Sequence, residues 1–230
     1  MGDLSDRRAR KKAQTRALIR QTAQELFAER GFEAVTIADI AEAADVAVQT
    51  VFNHFPTKED LYFDGRTPWV EGAAEAVRSR PATEPPLVAL REYLVSLLAD
   101  LAGRYECDAR RRYIATIEAS PALRLRELEL VHEAERRIGS ALADAWRDAD
   151  GAPADPATAA ALTAATWMAV ARVLLVGQRP VLEDRDGAAR SAATMVPLAD
   201  RLLRDLEAGF ASLQGAASVT GWPGDVRRAG

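Results

Sequence analysis

Helix starts and stops crowd the segment from Gly31 to Phe63, and this punctuation limits the fold more than any bulk property of the chain. Just upstream, the pairs Leu18/Ile19, Thr22/Ala23 and Leu26/Phe27 recur at four-residue intervals, which predicts one apolar stripe on a helix running from about Asp6. Gly31 supplies a left-handed cap to that helix, and Phe32 the apolar contact that accompanies it. Thr36 followed by Asp39 reads as a capping box that opens a short helix with Ile37, Ile40, Ala41 and Ala44 facing inward. Asp45 interrupts it, and Val46 begins a third helix that buries Val51 and Phe55. Pro56 stops that helix, and Thr57 with Asp60 caps a fourth that opens on Leu61, Tyr62 and Phe63. Helices this short are stable only when packed on one another, so a tight helical module is expected here.

Strand signals are almost absent from the rest of the chain. Further helices are predicted from about Leu87 to Ala102, Asp108 to Ala119, Pro121 to Ala149, Pro156 to Gln178 and Gly187 to Leu213. Asp155 before Pro156 is an N-cap followed by proline at the first helical position. Pro68 is expected to kink or divide the fourth helix, and the cluster Pro81, Pro85 and Pro86 marks the best candidate linker between sub-structures. The expected architecture is all-α: a three-helix module over residues 1–60, a larger helical domain over 61–213, and a polar, glycine-containing tail over 214–230 expected to be disordered.

The formal net charge of -4 argues against a polyanion partner only if the charge is evenly spread. It is not: Arg7, Arg8, Arg10, Lys11, Lys12, Arg16 and Arg20 follow one another with no acidic residue among them. Cys107 is the lone cysteine, so neither an intrachain disulfide nor a Cys-rich zinc site is expected. No signal-peptide pattern and no long, strongly apolar run stands out, and a cytoplasmic protein with no membrane partner is the expectation. His132, Glu133 and Glu135 lack the HExxH spacing of a metal site, and no nucleophile or acid–base constellation is recognisable. No metal, no cofactor and no enzymatic activity are therefore expected.

Two short helices joined by a tight turn form the geometry that lays the second helix in a DNA major groove. On the third helix Val48, Gln49, Phe52 and Asn53 share one face, opposite Val51 and Phe55. Gln49 and Asn53 carry the amides that pair bidentately with adenine, and Val48 is suited to a thymine methyl. Thr36, Thr50, His54 and Lys58 lie around this face as candidate phosphate contacts, and Arg16 adds the end of the basic arm. Double-stranded DNA is thus the expected partner.

The run GFEAVTIADIAEAADVAVQTVFNHFPTKEDLYF, together with ELFAERGF before it, resembles the DNA-binding signature of the tetracycline-repressor-like (TetR) family of bacterial regulators. Three positions depart from that pattern. Asp45 replaces the usual turn glycine, Ala47 removes a capping hydroxyl worth about 1 kcal/mol, and Phe52 lacks the hydroxyl of the usual tyrosine. The resemblance implies a homodimer formed through the last two helices, an operator that is roughly palindromic, and an unidentified small-molecule effector held in the second domain. Tyr93, Leu97, Tyr113, Ile117, Trp146, Thr163 and Trp167 are the candidates for lining its pocket. It further implies a repressor released by that effector. A constitutive DNA-binding protein, or an activator without a ligand, would share the same first sixty or so residues.

Overall fold

A computed structural model describes residues 2–103, 107–147, 149, 153, 155–177 and 185–215. The described residues form ten helices and no strand, so the all-α expectation holds. Most of the tail expected to be disordered lies outside the described residues. The chain divides into two compact units. Unit 1 takes residues 1–68 together with 108–130, and unit 2 takes 69–107 and 131–230.

Unit 1 begins with α1 (Gly2–Arg30), whose packed stripe is Ile19, Ala23, Leu26 and Phe27, all buried. Leu18, paired with Ile19 in the sequence pattern, is instead 49% exposed at the stripe's edge. The helix ends where Gly31 turns to φ +83°. Then come α2 (Ile37–Ala43), α3 (Val48–His54) and α4 (Lys58–Phe63). Both expected capping boxes are present. Thr36 Oγ1 accepts from the Asp39 amide at 3.2 Å while Asp39 Oδ2 accepts from the Thr36 amide at 2.7 Å. Thr57 and Asp60 repeat the exchange at 3.1 Å each way.

The turn between α2 and α3 closes as a Schellman motif. The Val46 amide donates to Ala41 O at 3.0 Å and the Asp45 amide to Glu42 O at 3.1 Å, with Asp45 at φ +50°. Asp tolerates this left-handed position, and the motif keeps Val46 outside α3, which starts two residues later than the apolar pattern suggested. After α4 the backbone turns at Gly65 (φ +73°), so the fourth helix ends before Pro68, which was expected to kink or divide it and instead stands where unit 1 breaks.

The unit is completed by α7 (Asp108–Ala119) and the first turns of α8 (Pro121–Trp146). Tyr62 Oη donates to Tyr113 O at 2.9 Å, and the two rings stack with centroids 5.1 Å apart. Ser120 Oγ donates to Glu33 at 2.6 Å, and Arg126 pairs with Asp60 at 2.9 Å. The boundary expected at residue 60 therefore differs from the compact unit, which holds α4 and recruits α7 from far along the chain.

Unit 2 consists of α5 (Trp69–Ser79), α6 (Pro86–Gly103), the rest of α8, α9 (Pro156–Leu175) and α10 (Arg185–Gly215). Its core gathers Ala73, Val77, Leu90, Leu94, Ile138, Leu142, Trp146, Ala164 and Trp167. Gly72 has no side chain where the Tyr93 ring lies against α5, which lets α5 and α6 approach closely. The proline cluster around Pro81 and Pro85 is the turn between α5 and α6 inside this unit, not a linker between domains. Its ends are tied by the Glu84 amide donating to Pro81 O and by Arg80 donating to Glu84 O, both at 3.0 Å.

One helix, α9, is long and apolar enough by composition to cross a membrane, a possibility the sequence pattern had not singled out. Its hydropathy comes largely from alanine. One stripe, Ala160, Thr163, Ala164, Trp167, Met168, Ala171 and Leu174, is buried, as in the core helix of a globular unit.

Candidate DNA-binding surface

The sequence places apolar residues at Val51 of α3 and at Phe55, which caps it, and both are fully buried. The helix is thereby held with its other side outward. Val48 and Phe52 are each 43% exposed despite their size, and Gln49 and Asn53 are exposed beside them. Gln49 Nε2 donates to Asn53 Oδ1 at 3.2 Å, so the two amides already lie side by side. Ala47 sits extended at the N-cap (φ −68°, ψ 145°) and makes no side-chain cap, as its missing hydroxyl predicts.

Around this face the structure gives several predicted contacts an internal occupation. Arg16 donates to His54 O and to Asp64 Oδ1, each at 2.5 Å, and its guanidinium lies 4.0 Å from the Phe55 ring centroid. It therefore satisfies a carbonyl at the negative C-terminal end of α3 and ties α1 to the residue after α4. Lys58 Nζ donates to Phe32 O at 2.9 Å and Val35 O at 3.1 Å and stands over the Phe32 ring, holding the loop that enters α2. Thr36 spends its hydroxyl in the capping box, and Thr50 and His54 are half-buried. The carbonyl partners of Arg16 and Lys58 are far away in sequence, so no local pattern announces these duties.

The described side chains of the arm before Arg16, from Asp6 to Gln14, are exposed on a continuous α1. Its position follows from Arg16, which touches the end of α3, and from Lys12, whose charge acts on His54. Basic charge thus lines the C-terminal end of the exposed helix. Burial pulls the His54 imidazole below its ordinary value of 6.5, with Lys12 and Arg16 pushing the same way. Its Nδ1 is buried without a hydrogen-bond partner among the described residues.

The seven candidates for an effector pocket divide between the units. Tyr113 and Ile117 belong to α7 in unit 1, where Ile117 is fully buried and Tyr113 stacks on Tyr62. Trp146, Thr163 and Trp167 are buried in unit 2, with Tyr93 packed partly against the same core. Leu97 is half-buried on α6 and joins neither core cluster of that unit. Thr163 donates within its own helix, to Ala159 O at 2.8 Å. The Trp167 indole N–H is buried with no acceptor among the described residues. No group of His, Cys, Asp and Glu among the described residues is placed to hold a metal ion.

A model of the family described as "Bacterial regulatory proteins, tetR family" matches residues 19–64, the segment from Ile19 on α1 to the cap of α4. The match covers the DNA-binding segment, and it is this segment that resembles the TetR family. The HTH-type transcriptional regulator TcmR of Streptomyces glaucescens is 31% identical to this chain over 140 residues, covering 59% of the chain and 62% of TcmR. The HTH-type transcriptional regulator LuxR of Vibrio harveyi is 58% identical over 41 residues, covering 18% of the chain and 20% of LuxR. The chain thus spans less than two thirds of the length of these curated relatives. Among solved structures, SmeT of Stenotrophomonas maltophilia in complex with triclosan superposes with a TM-score of 0.49 at 21% identity, covering 80% of this chain and 89% of SmeT.

Proposed function

We propose that this chain is a TetR-family, ligand-responsive transcriptional repressor of the bacterial cytoplasm. It binds a palindromic DNA operator as a homodimer and releases it when a small-molecule effector binds. The observation that carries the reading is the α3 face: Val48, Gln49, Phe52 and Asn53 exposed together, on a helix anchored by fully buried Val51 and Phe55. Two large apolar residues left in solvent beside a paired amide suit a groove that offers thymine methyls and adenine edges. In a two-fold dimer two such helices enter successive major grooves, about 34 Å apart. The basic arm and His54 flank the same helix end and supply phosphate contacts that fix register.

The dimer reading is supported by the outer face of α9, where Ala161, Leu162, Ala165 and Val173 are exposed, and by Leu202 on α10. Small and apolar residues in alternation allow close helix packing against a second copy. The effector reading is supported by the buried indole of Trp167, whose unmatched N–H suits a ligand that brings a hydrogen-bond acceptor. Release then follows from linkage if the effector prefers the conformation that DNA binds less well, because it draws the dimer away from the DNA-binding one.

The test is fluorescence anisotropy on operator DNA selected from a random pool. Wild-type protein is expected to bind its selected site at least a thousandfold more tightly than a scrambled duplex. Equal affinity for both duplexes overturns the reading.

A further inference from the structure

Within unit 1, an open cleft of about 700 Å³ lies between the C-terminal end of α1, the loop after it and α7. Its walls are aromatic. Phe27 and Phe32 meet at 5.2 Å, Phe32 stands edge-on to Tyr62 at 5.3 Å, and Tyr62 stacks on Tyr113. Among its lining residues the charge is one-sided, with Arg30, Arg66 and Arg112 against the carboxylate of Glu33, while Glu127 outside the lining acts on the two tyrosines. The Glu33 carboxylate is already engaged by Ser120 Oγ at 2.6 Å. Arg66 is half-buried and makes no ion pair among the described residues. Its guanidinium carbon stands 5.2 Å from the Tyr62 centroid and 5.1 Å from that of Tyr113. Stacking of that kind leaves the in-plane N–H donors of a guanidinium free.

An apolar body and an anionic head both find complements here, and the volume is that of an ordinary small-molecule site. None of the exposed residues of the α3 face lines the cleft, so the phosphates that α3 would meet do not account for its charge. We propose that this cleft binds a small organic carboxylate, its apolar body against Tyr113 and the exposed Ala115 and Ala119 of α7 and its head on Arg66, with Arg30 and Arg112 at the rim. Burial raises both phenols above their ordinary value, so neither adds negative charge against the head. The site is distinct from the effector pocket proposed in unit 2. It touches the loop from Gly31 to Ala34, next to the carbonyls of Phe32 and Val35 held by Lys58.

The experiment is isothermal titration of the full chain, free of DNA, with 1-naphthoate, decanoate and uncharged 1-naphthamide. At least one carboxylate is expected to bind saturably. For naphthoate, the amide is expected to bind at least tenfold more weakly. Arg66→Gln should weaken the carboxylate at least tenfold, and Trp167→Phe in unit 2 should leave it unchanged. Circular dichroism melts confirm that each variant is folded, and an Arg112→Gln variant gives a second reading at the rim should Arg66→Gln melt early. No saturable binding of either carboxylate up to millimolar concentration overturns the proposal. So does carboxylate binding that resists both arginine substitutions, or binding lost in Trp167→Phe. None of these outcomes depends on operator binding, so the regulatory reading and this one fail separately.

Discussion

Gln49 and Asn53 meet at 3.2 Å in the free protein, so an adenine that takes both amides replaces one hydrogen bond by several. On the proposed reading, Gln49→Ala should therefore cost roughly 1 to 3 kcal/mol at one base position while leaving non-specific binding intact. Anisotropy on specific and scrambled duplexes measures the difference. His54 gives a residue-scale test without DNA. Its folded-state value lies below the ordinary 6.5, so the unfolded chain takes the proton first. Its contribution to stability is intact above that ordinary value and is lost as pH falls through 6.5 toward the folded value. Urea midpoints measured between about pH 5 and pH 8 should fall on the acid side, and His54→Gln should flatten that fall. Arg16 and Lys58 show where reading residues in isolation stops. Both are basic and adjoin α3, but their partners are backbone carbonyls 38 and 26 or 23 residues away, which no spacing rule reports.

At the scale of elements, what is local was legible. The two capping boxes depend on residues within a few positions of one another and are found where the pattern put them, whereas the left-handed Asp45 and the bare N-cap at Ala47 follow from the family resemblance, the apolar pattern having started α3 at Val46. The bare cap is also a place for gain. Ala47 already has the extended backbone an N-cap needs, so Ala47→Ser is expected to stabilise the protein by about 0.5–1 kcal/mol, read as a raised urea midpoint. The proline cluster after Ser79 misled because prolines mark the end of a helix and say nothing about what its two neighbours pack on. The turn from α5 to α6 stays inside one core, whereas the chain leaves unit 1 at Pro68, a single proline with little to distinguish it in sequence. Membership of α7 in unit 1 was equally hidden, since Tyr62 and Tyr113 are 51 residues apart.

For the whole molecule, the proposed dimer puts the exposed apolar residues of α9 and α10 to use. Leu162→Glu with Leu202→Glu is expected to yield a folded monomer by light scattering at micromolar concentration. Operator affinity should fall with it, because two half-sites bound independently lose the advantage of linkage. A dimer that survives both charges would exclude this face. The composition of unit 1 bears on how such regulators are recombined. Because α7 returns to cover Tyr62, Phe63 and the loop at Glu33, the DNA-binding unit is not a detachable head. A graft that joins residues 1–68 to a foreign sensing domain discards the ring stacked on Tyr62 and the hydroxyl that holds Glu33. Such a chimera inherits α3 on an unfinished scaffold unless residues 108–130 travel with it.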